Sequence, residues 1–247
     1  MMTPRIIVGL VLACVMGGLT LAAQQPAAPP TPQLPRPAFE AETGCTIEGT
    51  FGAVGAMRTR LLEGAPADLV ILSRALIEGL ARDGQVTGAT AANLGTVETA
   101  IAVRQGDILP QVGDADALRA ALLDADAIHF PDPEQATAGI HFAKVLRDLG
   151  IWDEVAPRLK TAPNGATAMR ALAASTSRRP IGCTQATEIL STPGIVLVAS
   201  LPPGCALATV YTAATAAKAQ LPAEAARLVA LLSDGAGRAH RQQLGFV

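Results

Sequence analysis

Aromatic residues make up only 3% of this 247-residue chain, so its core must be packed largely from alanine, leucine and valine. A surplus of positive charge is also missing. The formal net charge of -2 leaves no clustered basic face of the kind that binds nucleic acid. His129, His141 and His240 lie far apart, without metal-ligand spacing, so neither a zinc or copper site nor a cofactor is expected. The cysteines Cys14, Cys45, Cys183 and Cys205 include no C-x-x-C pair. With Cys14 in a removable leader, an odd number remains and at least one thiol stays free. The apolar or small neighbours of Cys45, Cys183 and Cys205 mark them as buried small hydrophobes. Asp132 and Glu134 have no paired histidine or serine to complete a catalytic set, and their "PDPE" run reads as a turn.

What is present begins with an address. Arg5 precedes an uncharged run from Ile6 to Ala23, and small residues before Gln24 offer a cleavage point, so residues 1–23 read as a signal peptide. That places the protein in the periplasm. A lipid on Cys14, or an uncleaved anchor, is the alternative use of the same segment. Residues 24–38 are a proline-rich spacer that suits neither helix nor central strand. Beyond Phe39, short apolar runs alternate with amphipathic helical stretches, the pattern of an α/β fold. "CTIEGTF", "ADLVIL", "VETAIAVRQG", "AIHF", "PIGCT", "GIVLVASLP" and "ALATVYTAAT" read as strands. "GAMRTRLLEG" is expected to be a helix with Met57, Leu61 and Leu62 on one side. "IHFAKVLRDLGIWDEV" is expected to turn Ile140, Val145, Leu146 and Leu149 inward and to stop at Gly150. Gly49, Gly52 and Gly55 open the first of these helices, where backbone N–H groups can hold a small anion without any net positive charge.

These segments, in this order, resemble the periplasmic molybdate-binding proteins and the wider group of type II extracellular solute-binding proteins. "FEAETG" resembles the end of the family's first helix, and "FGAVGAMRTRLLEGAPADLVIL" its glycine-rich anion loop, helix and following strand. "PDPEQATAGIHFAKVLRDLGIWDEV" is similar to the second-lobe loop and helix, and "PIGCTQATEILSTPGIVLVASLPP" to a subgroup pattern. The resemblance runs from Phe39 to Val247 and implies a two-lobe fold with crossing hinge strands. Lobe one would take residues 39–95 and 195–247, lobe two residues 96–194. The opening strand and most of the first helix of lobe one find no counterpart after Phe39, so that lobe is expected to be incomplete, refilled by "RIIVGLVLA", or cut short by a misassigned gene start.

The resemblance also implies a site. Helix starts from both lobes would face a cleft, bringing Gly52, Ala53, Val54 and Gly55 opposite Thr137, Ala138 and Gly139. Val54 stands where the family carries a serine, and Thr184 and Gln185 stand near its tyrosine. Phe130 would wall the cleft or sit in the core, and Arg58 and Arg60 would lie on a solvated face. The function implied is a monomeric solute-binding protein of an ABC-type importer. It would hold a molybdate-like oxyanion or an organic anion and hand it to an inner-membrane permease. An isomerase of unsaturated tricarboxylic acids drawing on Thr184, Gln185, His129 and His141 is one alternative, and a remnant that binds nothing is another.

Overall fold

The computed structural model describes residues 5–10 and 35–247. Cys14, the remainder of the expected leader and most of the proline-rich spacer lie outside the described residues. The strands join in the order β2-β1-β3-β9-β4-β7-β5-β6, with β8 added on β4. At one end, β1 (Arg5–Leu10) lies between β2 (Thr46–Phe51) and β3 (Leu69–Ser73), parallel to both. β9 (Ala208–Thr215) runs antiparallel to β3 and to β4 (Ala92–Arg104). At the other end β5 (Ala127–Pro131) pairs in parallel with β6 (Leu159–Ala162) and β7 (Pro180–Gln185).

β4 is the strand that crosses. Residues from Ala92 to Glu98 pair with β9, and residues from Thr99 onward pair with β7 and with β8 (Ile195–Ser200). Its register shifts between Asn93 and Gly95, where Gly95 has φ 148°. A side chain there would be strained and would press on the Phe246 ring, 3.0 Å from a Cβ at Gly95. The chain end clamps this point: Val247 and Thr96 exchange backbone hydrogen bonds of 2.8 and 3.1 Å.

Helices cover the sheet where their apolar faces require it. α1 (Pro35–Thr43), α2 (Val54–Leu62), α3 (Arg74–Arg82) and α9 (Pro222–Ser233) pack around β1, β2, β3 and β9. Their core holds Ile6, Phe39, Ile47, Leu69, Ile71, Ile77, Leu80 and Leu228, and it extends to Met169, Leu172 and Ile189. A second core gathers Leu118, Leu122, Ile128, Phe130, Phe142, Leu146, Ile151 and Ile181. It lies among α4 (Ala115–Asp124), α5 (Thr137–Asp148), α6 (Trp152–Val155), β5 and β7. α7 (Gly165–Ala173) and the short α8 (Ala186–Leu190) stand between these groups, and α10 (Arg238–Gln243) precedes the clamp. Among the described residues no helix is long and apolar enough to cross a membrane.

Several expectations need correction. Of the outcomes left open for the opening strand, the structure shows the refilled one: Arg5–Leu10, from "RIIVGLVLA", lies between β2 and β3, so the segment read as a leader contributes a strand. A run such as Ile6-Ile7-Val8 suits a β-strand as well as it suits a signal core, because β-branched residues fit a pleated surface. Leu62 is exposed rather than inward, since α2 ends on it and only Val54 and Met57 of that helix are buried. Ile140 is also exposed. About two and a half helical turns separate it from Leu149, so the two point to opposite sides, and the inner face of α5 (Thr137–Asp148) goes to Ala138, Phe142, Val145 and Leu146. Phe130 is a core aromatic, packed edge-on to Phe142 with ring centroids 5.4 Å apart. Cys45, Cys183 and Cys205 are free and buried, as their neighbours implied. Burial alone pushes the Cys183 thiol well up from its ordinary range.

Candidate functional site

The first turns of α2, α5 and α7 meet around a small cavity. Ala53 and Val54 line it from α2, Ala136, Thr137 and Ala138 from α5, and Asn164 and Gly165 from α7. Pro131, Gln185, Glu188 and Tyr211 complete the wall. Its volume is about 20 Å³, room for roughly one water. The N-caps of α2 and α5 are Ala53 and Ala136, neither of which offers a side-chain acceptor to the first-turn N–H groups. α7 differs, because Asn164 Oδ1 accepts from Thr167 N at 2.9 Å.

Two glycines permit the close approach of these elements. Gly55 N donates to Gln135 O at 3.2 Å, which ties α2 directly to the loop before α5. A Cβ on Gly55 would sit 2.9 Å from that same oxygen. A Cβ on Gly165 would fall 1.9 Å from Glu188 Oε2 and 2.1 Å from Thr184 Oγ1, so only glycine fits. The loop before α5 is set by Asp132, whose Oδ1 accepts from Glu134 N and Gln135 N at 2.8 and 2.9 Å. The "PDPE" run is thus a turn, as its sequence suggested.

Glu188 is the charged group of the cavity. It is buried, and its Oε2 accepts from Thr184 Oγ1 at 2.6 Å while Oε1 accepts from Ala166 N at 3.2 Å. Burial raises its pKa to about 6, against the lowering influence of the Thr184 hydroxyl and of the nearby backbone N–H groups. The Tyr211 phenol, also buried, is pushed far up by desolvation and further by the Glu188 charge. Gln185 Nε2 donates to Thr209 Oγ1 at 3.3 Å, and Gln185 Oε1 has no partner among the described residues.

Of the expected site residues, Ala53, Val54, Thr137, Ala138 and Gln185 come together on this cavity. Gly55 contributes through its bond to Gln135, and Thr184 stands one step back behind Glu188. Gly52 instead lies over Met57, and Gly139 packs on the backbone of Pro131 and Asp132. His141 is hydrogen-bonded through Nε2 to Cys205 O at 2.7 Å, and neither it nor His129 lines the cavity. His129 is buried without a hydrogen-bond partner among the described residues, and desolvation together with Lys160 lowers its pKa. Asn164, Gly165, Glu188 and Tyr211 were missed from the sequence. "PNGAT" does carry a helix N-cap signature that points to the first two.

A larger hollow of about 570 Å³ opens elsewhere, between the loop after β4 and the turn before β7. It holds none of the expected residues, and its Arg179 is already paired with Asp124 at 3.2 Å. No group of three or more His, Cys, Asp or Glu among the described residues is placed to hold a metal ion.

Known proteins resemble this chain in sequence and fold. The chain is 28% identical over 207 residues to an aconitate isomerase of a Pseudomonas species, covering 80% of this chain and 76% of that one. It is 26% identical over 168 residues to the molybdate-binding protein ModA of Escherichia coli, covering 66% and 64% respectively. The solved structure of the periplasmic molybdate-binding protein of Azotobacter vinelandii superposes with a TM-score of 0.75 at 17% identity, over 98% of each chain. Its fold is therefore the one found here, α/β with the curled sheet of a periplasmic binding protein. The sequence profile of the bacterial extracellular solute-binding proteins matches residues 19–247, beginning ahead of the Phe39 from which the motifs were legible. With a match of that extent over this fold, the chain belongs to the bacterial extracellular solute-binding proteins.

Proposed function

We propose that this protein is an exported receptor that holds a small anion between the first turns of α2 and α5 and delivers it to an inner-membrane ABC permease. The observation that carries the reading is the meeting of these two helix starts, both capped by alanine, at one cavity. Gly55 already gives its N–H to Gln135, and the other N–H groups of these first turns, with the helix dipoles, supply a site for negative charge with no cationic side chain among the described residues of its wall. Molybdate, tungstate and sulfate are named for proteins of this fold, and they supply the first panel to try. Periplasmic relatives and the leader-like start support export, with Arg5–Leu10 kept on the exported chain because it forms an inner strand of the sheet. Residues 39–95 with 195–247 would form one lobe and residues 96–194 the other, working as a monomer and opening about β4. With room for about one water, the cavity must widen to take such an anion, which opening about β4 would allow.

Thermal unfolding of the purified chain against a panel of oxyanions and carboxylates tests this. A ligand at about 100 times its dissociation constant adds about 2.7 kcal/mol of apparent stability. No shift with any compound would defeat the receptor reading and favour a remnant that keeps only the fold. A second reading, isomerisation of an unsaturated tricarboxylic acid, has its own support. The aconitate isomerase relative is one line, and a buried carboxyl poised at about pH 6 on the cavity wall is the other. Incubation with aconitate, followed for interconversion of its isomers, separates the two.

A further inference from the structure

Glu188 brings a negative charge into a cavity meant, on the reading above, for an anion. Among the residues that line the cavity it is the only charged one, and Tyr211 is the only other that titrates. No lysine, arginine or histidine on the wall offsets it. The carboxylate is not an accident of packing. Gly165 leaves the space it occupies, Thr184 donates to one oxygen and the first turn of α7 to the other. The N-terminus of α7 is thereby supplied with an anion from within the protein, leaving α2 and α5 for the ligand. Beside it, the buried Gln185 holds an amide oxygen with no partner on the same wall. Thr209 can serve either edge of that amide, so Gln185 marks a polar position awaiting a ligand. An ionised Glu188 has no such freedom, since its oxygens can only accept. The wall therefore offers donors on one side and an anionic acceptor on the other.

Resting on the anion-receptor reading, we propose that Glu188 sets the ligand class: a small anion that carries its own O–H donor, a hydrogen oxyanion or a hydroxycarboxylate, in preference to a fully deprotonated tetrahedral dianion. Such a ligand turns its charged oxygens to α2 and α5 and its hydroxyl to Glu188. A bare dianion sets oxygen against oxygen there, a repulsive element that excludes it.

Two matched pairs of probes test the proposal at neutral pH by titration calorimetry on the full chain. Phosphate and sulfate share size and shape but differ by a bound proton, and glycolate and acetate differ by one hydroxyl. The expected result is that phosphate binds at least about tenfold more tightly than sulfate, or glycolate than acetate. The pair that shows the preference identifies the source of the hydroxyl. Glu188→Gln should bring that ratio close to one, whereas a purely structural role would weaken both members alike. Sulfate or molybdate binding as tightly as phosphate and glycolate would overturn the proposal while leaving the receptor reading intact. So would a ratio unchanged in Glu188→Gln. If that variant fails to fold, the wild-type ratios still decide. Binding of neither pair, nor of molybdate, would remove the receptor reading and this proposal with it.

Discussion

The two ends of the sheet are built from different reaches of chain. β5, β6 and β7 come from one continuous stretch and pair in parallel through helical crossovers, so that end closes on its own residues. The end with β2, β1, β3 and β9 is assembled from the first third and the last part of the sequence. Its inner strand, β1, reaches it across residues 11–34, and its β9 arrives only after the other end is complete. The difference teaches that the first half depends on distant segments and the second on local ones. It also explains why the site has two characters. α2 and α5 bring bare helix starts from opposite halves, whereas α7 and α8 bring a helix start already satisfied by Glu188.

Removing Met1–Leu10 is the severest way to break this comparison. The deletion takes out β1, exposes the facing edges of β2 and β3, and removes the fully buried Ile6. Denaturant unfolding should lose at least about 4 kcal/mol or cease to be cooperative. Unchanged unfolding would show that another segment fills the slot. Next in size is Gly165→Ala, which forces a methyl into the space of Glu188 and Thr184. A loss of about 3 kcal/mol is expected from overpacking, accompanied by loss of anion binding.

Glu188→Gln sharpens the comparison through pH. Its folded pKa is raised from 4.5 to about 6, so the folded state holds the proton more tightly than the unfolded chain does. The resulting stability is fully present below about pH 4.5 and is lost as pH rises through about 6. Between those limits wild type should lose about 2 kcal/mol relative to Glu188→Gln, measured by denaturant midpoints across pH. Smallest of all should be Ile140→Ser. The side chain is exposed on α5, and its replacement is expected to stay within about 0.5 kcal/mol.

Much of the fold was legible because local signals agreed. Gly84 and Gly150 stop α3 and α5 with φ 67°, and the apolar run "ADLVIL" ends as the buried β3. The family resemblance, rather than local signals, placed Val54 and Thr137 opposite one another, and both line one cavity. Glu188 was not legible as a site residue. Nothing in "TQATEIL" shows that its carboxyl will reach the first turn of α7, which depends on Gly165 more than twenty positions earlier. Tyr211 was hidden for a similar reason, since a strand reveals which residues share a face but not which cavity that face meets. Ile140 failed because its place on the outer face, about two and a half turns before Leu149, follows from the helical period and not from its apolar character. β1 was obscured by chemistry: one apolar run serves equally as a signal core and as an inner strand.

The central claim is that backbone N–H groups of α2 and α5, from opposite halves, hold the ligand. Amide ¹H–¹⁵N spectra of the labelled protein, titrated with the tightest-binding anion of the panel, test it most directly. The account predicts the largest shifts at Val54, Thr137 and Ala138. Shifts confined to Arg178, Arg179 and the loop around Ile108, with those three amides unmoved, would contradict it.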